Sequence, residues 1–170
     1  MKITRRGSLI ALLLAGIASW GVLLAVEYSF REPDNWSRIE DKLYLGGFVQ
    51  RPPRGTKAAL NLCESEDPYR CDVHSWKPIP DREPAPSLRW LWDRVMFIDD
   101  QQRAGLRTYV HYRAGISRSG MVVVAYLMYR NKWTRDDALA DVRTKRPDVR
   151  PNVAFMRLLL EWEKYLKDKN

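Results

Sequence analysis

TYVHYRAGISRSG, residues 108–120, is the stretch on which the reading of the whole chain turns. Thr108, Tyr109 and Val110 are β-branched or aromatic and favour an extended strand, whereas Gly115, Ser117, Ser119 and Gly120 suit a tight turn and the start of a helix. A loop that enters a helix in this way turns free backbone N–H groups, and the positive end of the helix dipole, into one concavity. Arg118 adds a planar guanidinium able to grip two oxygens of an anion. The segment reads as an anion cradle, with the phenol of Tyr112 standing where the strand gives way to it.

Outward from this unit, short apolar runs lie on the N-terminal side and helical stripes on the C-terminal side. KLYLGG at 42–47 reads as a strand closed by two glycines and AALNL at 58–62 as a buried strand, with Pro52, Pro53 and Gly55 punctuating the connection. WKPIPDREPAPS at 76–87 holds four prolines, which require a strand end followed by an extended loop; Asp81 lies in that loop. Ser87 suits an N-cap ahead of the stripe Leu88, Leu91, Val95 and Ile98, ending near Ala104 and Gly105. A second helix is expected over about 118–132. A third starts after Thr134, with Ala138, Leu139 and Val142 inward, and stops at Pro147; a last one carries Phe155, Leu158, Leu159, Trp162 and Leu166 on one face. Strands early, helices late and a strand–loop–helix unit between them imply an α/β fold, a central sheet flanked by helices, with ligands outside the carboxyl ends of the strands.

The 170 residues are 45% apolar, enough for one globular domain with a real core and an extension. The extension is at the N-terminus: residues 8–26 are nineteen uncharged positions, about 28 Å as a helix, which nearly matches a bilayer core. Lys2, Arg5 and Arg6 precede this run, and Glu27, Glu32 and Asp34 outnumber Arg31 after it, a bias that keeps the N-terminus cytoplasmic and puts the folded part outside. The expected organisation is a basic N-terminus at 1–7, a single-pass membrane anchor at 8–26, a tether at 27–35 and a domain at 36–170. A cleaved signal that exports a soluble protein is the competing reading, because Arg5-Arg6 resembles a twin-arginine signal; against it, no small-x-small cleavage site follows.

Outward placement bears on Cys63 and Cys71, for which a disulfide and two unpaired buried thiols both stand as readings. The net charge is +8, and setting aside the three charges Lys2, Arg5 and Arg6 leaves +5 on the remainder. Without a recognition helix, zinc finger or RNA platform to accompany that charge, nucleic acid is not an expected partner. No cofactor or metal is expected either.

The spacing within HYRAGISRSG resembles the signature of the dual-specificity protein phosphatases, His-Cys, five residues, Arg, then Ser or Thr. LYLGG near the start, PIPD before the loop, MVVVAYLMYRNKWT after it and RPDVRPNVAFM into the last helix extend the resemblance over about 36–166. It implies a phosphatase-like fold in which Arg118 binds phosphoryl oxygens and the backbone N–H groups of Arg113, Ala114, Gly115, Ile116, Ser117 and Arg118 line the cradle. It further implies that Asp81 is the general acid, that Ser119 steadies the nucleophile and that His111 braces the loop from the end of its strand.

The departure is at the nucleophile, where Tyr112 stands in place of the cysteine. A thiol titrates near 8.5 and a positive loop lowers this to roughly 3.5–7.5, whereas a phenol starts near 10 and is expected here to be depressed by the same loop. Geometry argues harder against Tyr112: its oxygen lies a whole ring beyond the reach of a cysteine sulfur and overshoots a cradle shaped for a short side chain. A phosphotyrosyl intermediate also has the same kind of leaving group as a phosphotyrosine substrate, so the detour gains little. Loss of a nucleophile costs on the order of a million-fold in turnover, or about 8 kcal/mol of barrier.

The expectation is therefore a membrane-anchored pseudophosphatase that binds a phosphorylated ligand or a protein partner. Two alternatives remain open: an active phosphatase working through an atypical nucleophile, and a module in which the positive charge grips anionic lipid.

Overall fold

The computed structural model describes residues 35–169. Five strands form one sheet in the order β1-β2-β5-β3-β4: β1 (Trp36–Arg38), β2 (Leu43–Gly46), β3 (Ala58–Asn61), β4 (Val73–Trp76) and β5 (Thr108–His111). β1 runs antiparallel to β2, and every other pairing is parallel. Every residue of β2, β3 and β5 is buried, as expected for parallel strands covered on both faces, and this is why they read as short continuous apolar runs rather than alternating ones. β5 is central, with Gly46 of β2 opposite His111 on one side and Asn61 of β3 opposite it on the other.

Four helices complete the fold: α1 (Leu88–Arg103), α2 (Arg118–Asn131), α3 (Arg135–Lys145) and α4 (Val153–Asp168). Three of them start on side-chain caps: Ser87 Oγ accepts from the Trp90 N–H (3.1 Å), Thr134 Oγ1 from Asp137 (3.2 Å) and Asn152 Oδ1 from Phe155 (3.0 Å). The Ser87 and Thr134 caps match the sequence reading; the Asn152 cap and the short strand β1 were not read from it. Leu91, Val95 and Ile98 of α1, Ala138, Leu139 and Val142 of α3, and Phe155, Leu158, Leu159 and Trp162 of α4 are buried, so the stripes read from periodicity are the core faces.

α2 differs from these amphipathic helices, because every residue from Arg118 to Met128 is buried. A helix apolar all round belongs inside, and α2 packs against the other three helices as well as β2 and β5. Trp162 of α4 is fully buried against it and donates its indole N–H to the Ala125 carbonyl at 3.0 Å. β5 and α2 follow one another through the buried interior, and residues 112–117 join them at the carboxyl edge of the sheet.

Cys63 is buried and Cys71 half-buried, and both are free, so the disulfide reading is not realised. The proposed anchor at 8–26 lies outside the described residues; among those described, no helix is long and apolar enough to cross a membrane.

Candidate functional site

The loop between β5 and α2 is shaped from outside by donors that capture its carbonyls. Phe48 N–H donates to Arg113 O (3.1 Å), Arg146 donates to Ala114 O (Nη2, 3.2 Å) and Gly115 O (Nε, 2.7 Å), and Arg150 N–H donates to Ile116 O (3.0 Å). With four successive carbonyls held outward, the amides between them are left to the interior of the loop, where α2 adds its own unpaired N-terminal N–H groups. Gly115 has φ +70°, and a Cβ there would collide with the Gly46 carbonyl carbon and the Arg146 guanidinium. Only glycine permits both that backbone turn and that close approach to β2. Arg146 and Asn152 were not singled out in the sequence, although both lie within the quoted RPDVRPNVAFM.

Tyr112 is buried and its ring lies in this cradle. The phenolic oxygen accepts a hydrogen bond from the Ser117 N–H at 3.2 Å, and the Arg118 guanidinium carbon lies 5.1 Å from the ring centroid, within cation–π range. The expected depression of the phenol is reversed. Burial pushes Tyr112 above its ordinary value and the Asp81 carboxylate adds to this, outweighing the Ser117 and Ile116 amides and Arg118, which pull the other way. The physical reason is that a ring filling the concavity excludes the water that would solvate a phenolate.

Arg118 is 7% exposed. Its Nη1 lies 2.7 Å from Glu64 Oε1 and donates to Leu62 O at 3.2 Å, while its Nε lies 3.9 Å from Asp81 Oδ2 and has no hydrogen-bond partner among the described residues. Asp81 is brought to the same place: its Oδ1 accepts from Ser117 Oγ (2.6 Å) and from Asn152 Nδ2 (2.8 Å). Ser117 Oγ in turn accepts from the Asn152 N–H at 3.2 Å, so one asparagine caps α4 and ties the proline-rich loop to the cradle. A cleft of about 520 Å³ opens beside these groups, between Glu64, Arg118 and residues 78–82.

Two other residues read from the sequence sit differently. Ser119 is fully buried, and its hydroxyl donates to the Gly46 carbonyl at 3.3 Å, fastening α2 to β2. His111 is fully buried, stacks on Tyr109 with ring centroids 4.9 Å apart, and places Nε2 3.1 Å from Asp67 Oδ2 and 3.2 Å from the Tyr69 hydroxyl. His74 Nε2 meets the same Asp67 oxygen at 2.9 Å, so one buried carboxylate joins both histidines of the chain. Nothing in the local sequence around Asp67 marked it, because its partners come from β4 and β5. At Cys63, burial and then the Asp67 and Glu64 carboxylates push the thiol up to about 12 despite Arg118.

Residues 55–165, well over half of the chain, match the family described as dual specificity phosphatase, catalytic domain. The chain belongs to the dual-specificity phosphatase family. Human dual specificity protein phosphatase 1 is 40% identical over 129 residues, covering 71% of this chain and 35% of that protein. Against human dual specificity protein phosphatase 8 the covered share of the relative falls to 22%, so the chain spans at most about a third of these relatives' length. Among crystal structures, Tk-PTP in the active form is 30% identical, with a TM-score of 0.65 over 78% of this chain and 99% of that one. The human tyrosine phosphatase-like serine/threonine/tyrosine-interacting protein shares the fold at 24% identity, with a TM-score of 0.70 over 76% of this chain and 96% of that one.

Proposed function

We propose that this member of the family is a pseudophosphatase, which holds the phosphatase fold without turnover and acts by binding a protein partner. One observation carries the reading: the hydroxyl of Tyr112 sits on the Ser117 amide, where a phosphoryl oxygen would be received. A ring that fills the cradle removes both the nucleophile and the space for the substrate. Arg118, Ser117 and Asp81, the groups that a phosphatase turns toward its substrate, are here engaged with one another and with Glu64 and Asn152.

An active enzyme using Tyr112 is the weaker reading. A buried phenol pushed above its ordinary value is protonated at neutral pH, and it holds its oxygen against a backbone donor rather than toward the cleft. One structural neighbour carries a name that joins "phosphatase-like" to "interacting protein", which accords with a binding role on this scaffold. We further propose that residues 8–26 anchor the chain in a membrane with the domain on the outer side. A reporter fused after Asn170 reads that side directly.

The test of silence is hydrolysis of a generic aryl phosphate by the pure protein. No turnover above buffer is expected. Turnover that disappears in both Arg118→Ala and Asp81→Asn would falsify the proposal.

A further inference from the structure

Glu64 is a surface residue on a segment that is tied down from both sides. It follows β3 in a turn organised by Asn61, the fully buried last residue of that strand: Asn61 Oδ1 accepts from the Cys63 N–H at 2.7 Å and Asn61 Nδ2 donates to Ser65 O at 3.0 Å. Three residues beyond Glu64, Asp67 pins the same segment from inside, because its fully buried carboxylate meets His74 on β4 and His111 on β5. The backbone on either side of Glu64 is therefore fixed to the sheet, while its own side chain stays 63% exposed and reaches Arg118.

An exposed ion pair is ordinarily weak, because two long side chains must be ordered and water competes for both. Here one partner is not free to leave. Arg118 is buried, its Nη1 is already held by Leu62 O, and its Nε, 3.9 Å from Asp81 Oδ2, has no hydrogen-bond partner among the described residues. The Glu64 carboxyl is affected in turn: burial raises it, but its own backbone N–H and Arg118 more than offset this and hold it below the usual carboxylate range. The guanidinium gains an anion without any ligand entering the site.

We propose that Glu64 is a built-in competitor for Arg118, a latch that occupies the guanidinium and must be displaced before any phosphate monoester can bind. The inference rests on the pseudophosphatase reading and gives it a second lock, separate from the Tyr112 ring. Tyr112 occupies the amide side of the cradle and Glu64 the guanidinium side. The two are carried by different strands' ends, so each can be removed alone.

The test measures tungstate and inorganic phosphate affinity by calorimetry in four chains: wild type, Tyr112→Ala, and Tyr112→Ala combined with Glu64→Gln or with Glu66→Gln. Glu66 is the control, an exposed acid two residues away whose one ion-pair contact among the described residues is with Arg70 at 4.0 Å. We expect Glu64→Gln to tighten binding about three- to tenfold over Tyr112→Ala alone, as removal of one competing charge contact allows, and Glu66→Gln to change it less than about 1.5-fold. Equal gains from both glutamines reduce the effect to net charge and overturn the latch; so does no gain from Glu64→Gln. Should Tyr112→Ala fold poorly, Tyr112→Ser serves as the background. Hydrolysis by wild type would remove the pseudophosphatase reading, yet the ratio between the two glutamine variants would still report on Glu64.

Discussion

Replacing Tyr112 by cysteine separates loss of the nucleophile from loss of the site. The substitution empties a cradle whose walls stay in place, because the loop carbonyls are held by Phe48, Arg146 and Arg150, none of which touches the ring through these bonds. It releases the Ser117 N–H and the Arg118 face, so a thiol there meets the positive surroundings that lower cysteine to roughly 3.5–7.5. The stability cost follows from what the ring gives up. Loss of a buried aromatic leaves a cavity worth about 2–4 kcal/mol, the Ser117 hydrogen bond adds about 1 kcal/mol, and the cation–π contact adds about 0.5–1 kcal/mol. For a domain of this size the melting temperature should fall by roughly 10–20 °C, with the circular dichroism spectrum unchanged below the transition. If a missing nucleophile is the main defect, hydrolysis of p-nitrophenyl phosphate should rise at least about 10⁴-fold over wild type. That is about 5.5 of the roughly 8 kcal/mol that nucleophile loss costs, and the gain should vanish on adding Arg118→Ala. A folded Tyr112→Cys protein with no more activity than wild type refutes this reasoning, and would mean that the Asp81–Ser117–Asn152 network, rather than the phenol, keeps the site closed.

Other consequences can be checked separately. The Tyr112 phenol is held above its ordinary value, so the neutral form is favoured in the fold; this stabilisation is full below about pH 10 and is lost as pH rises through the folded value. The phenolate signal at 295 nm in the difference between wild type and Tyr112→Phe should accordingly emerge at higher pH than that of free tyrosine, and a signal emerging at or below the pH of free tyrosine would contradict it. Asn152→Ala should cost about 1–2 kcal/mol in urea unfolding from the lost cap and also raise proteolysis in residues 78–86; normal protection there would show that Asn152 does not tether that loop. Gly115→Ala, which combines the φ of +70° with a collision against β2, should destabilise by about 2–4 kcal/mol, and a loss under 0.5 kcal/mol would mean that the loop is not packed on Gly46. The Cys63 thiol, pushed up to about 12, should be inert to Ellman's reagent at pH 8 in the native protein and react only after unfolding.

The sequence alone was enough for the layout and the parts of the cradle. Continuous apolar runs marked β2 and β3, the residues at 108–120 marked β5, its loop and the start of α2, and 3.6-residue stripes marked the inner faces of α1, α3 and α4, because burial leaves a local signature when one element has one face to hide. The resemblance of the motifs singled out Asp81, Tyr112 and Arg118, which the fold brings together. Tertiary structure decided what those parts do to one another. Asp67, Glu64, Arg146 and Asn152 carried no local sign of their roles, since each acts on residues tens of positions away that only the tertiary fold brings near. The direction of the phenol's shift was likewise out of reach of sequence: loop amides and Arg118 favour phenolate while burial opposes it, and which prevails depends on whether the ring lies inside the cradle or out of it.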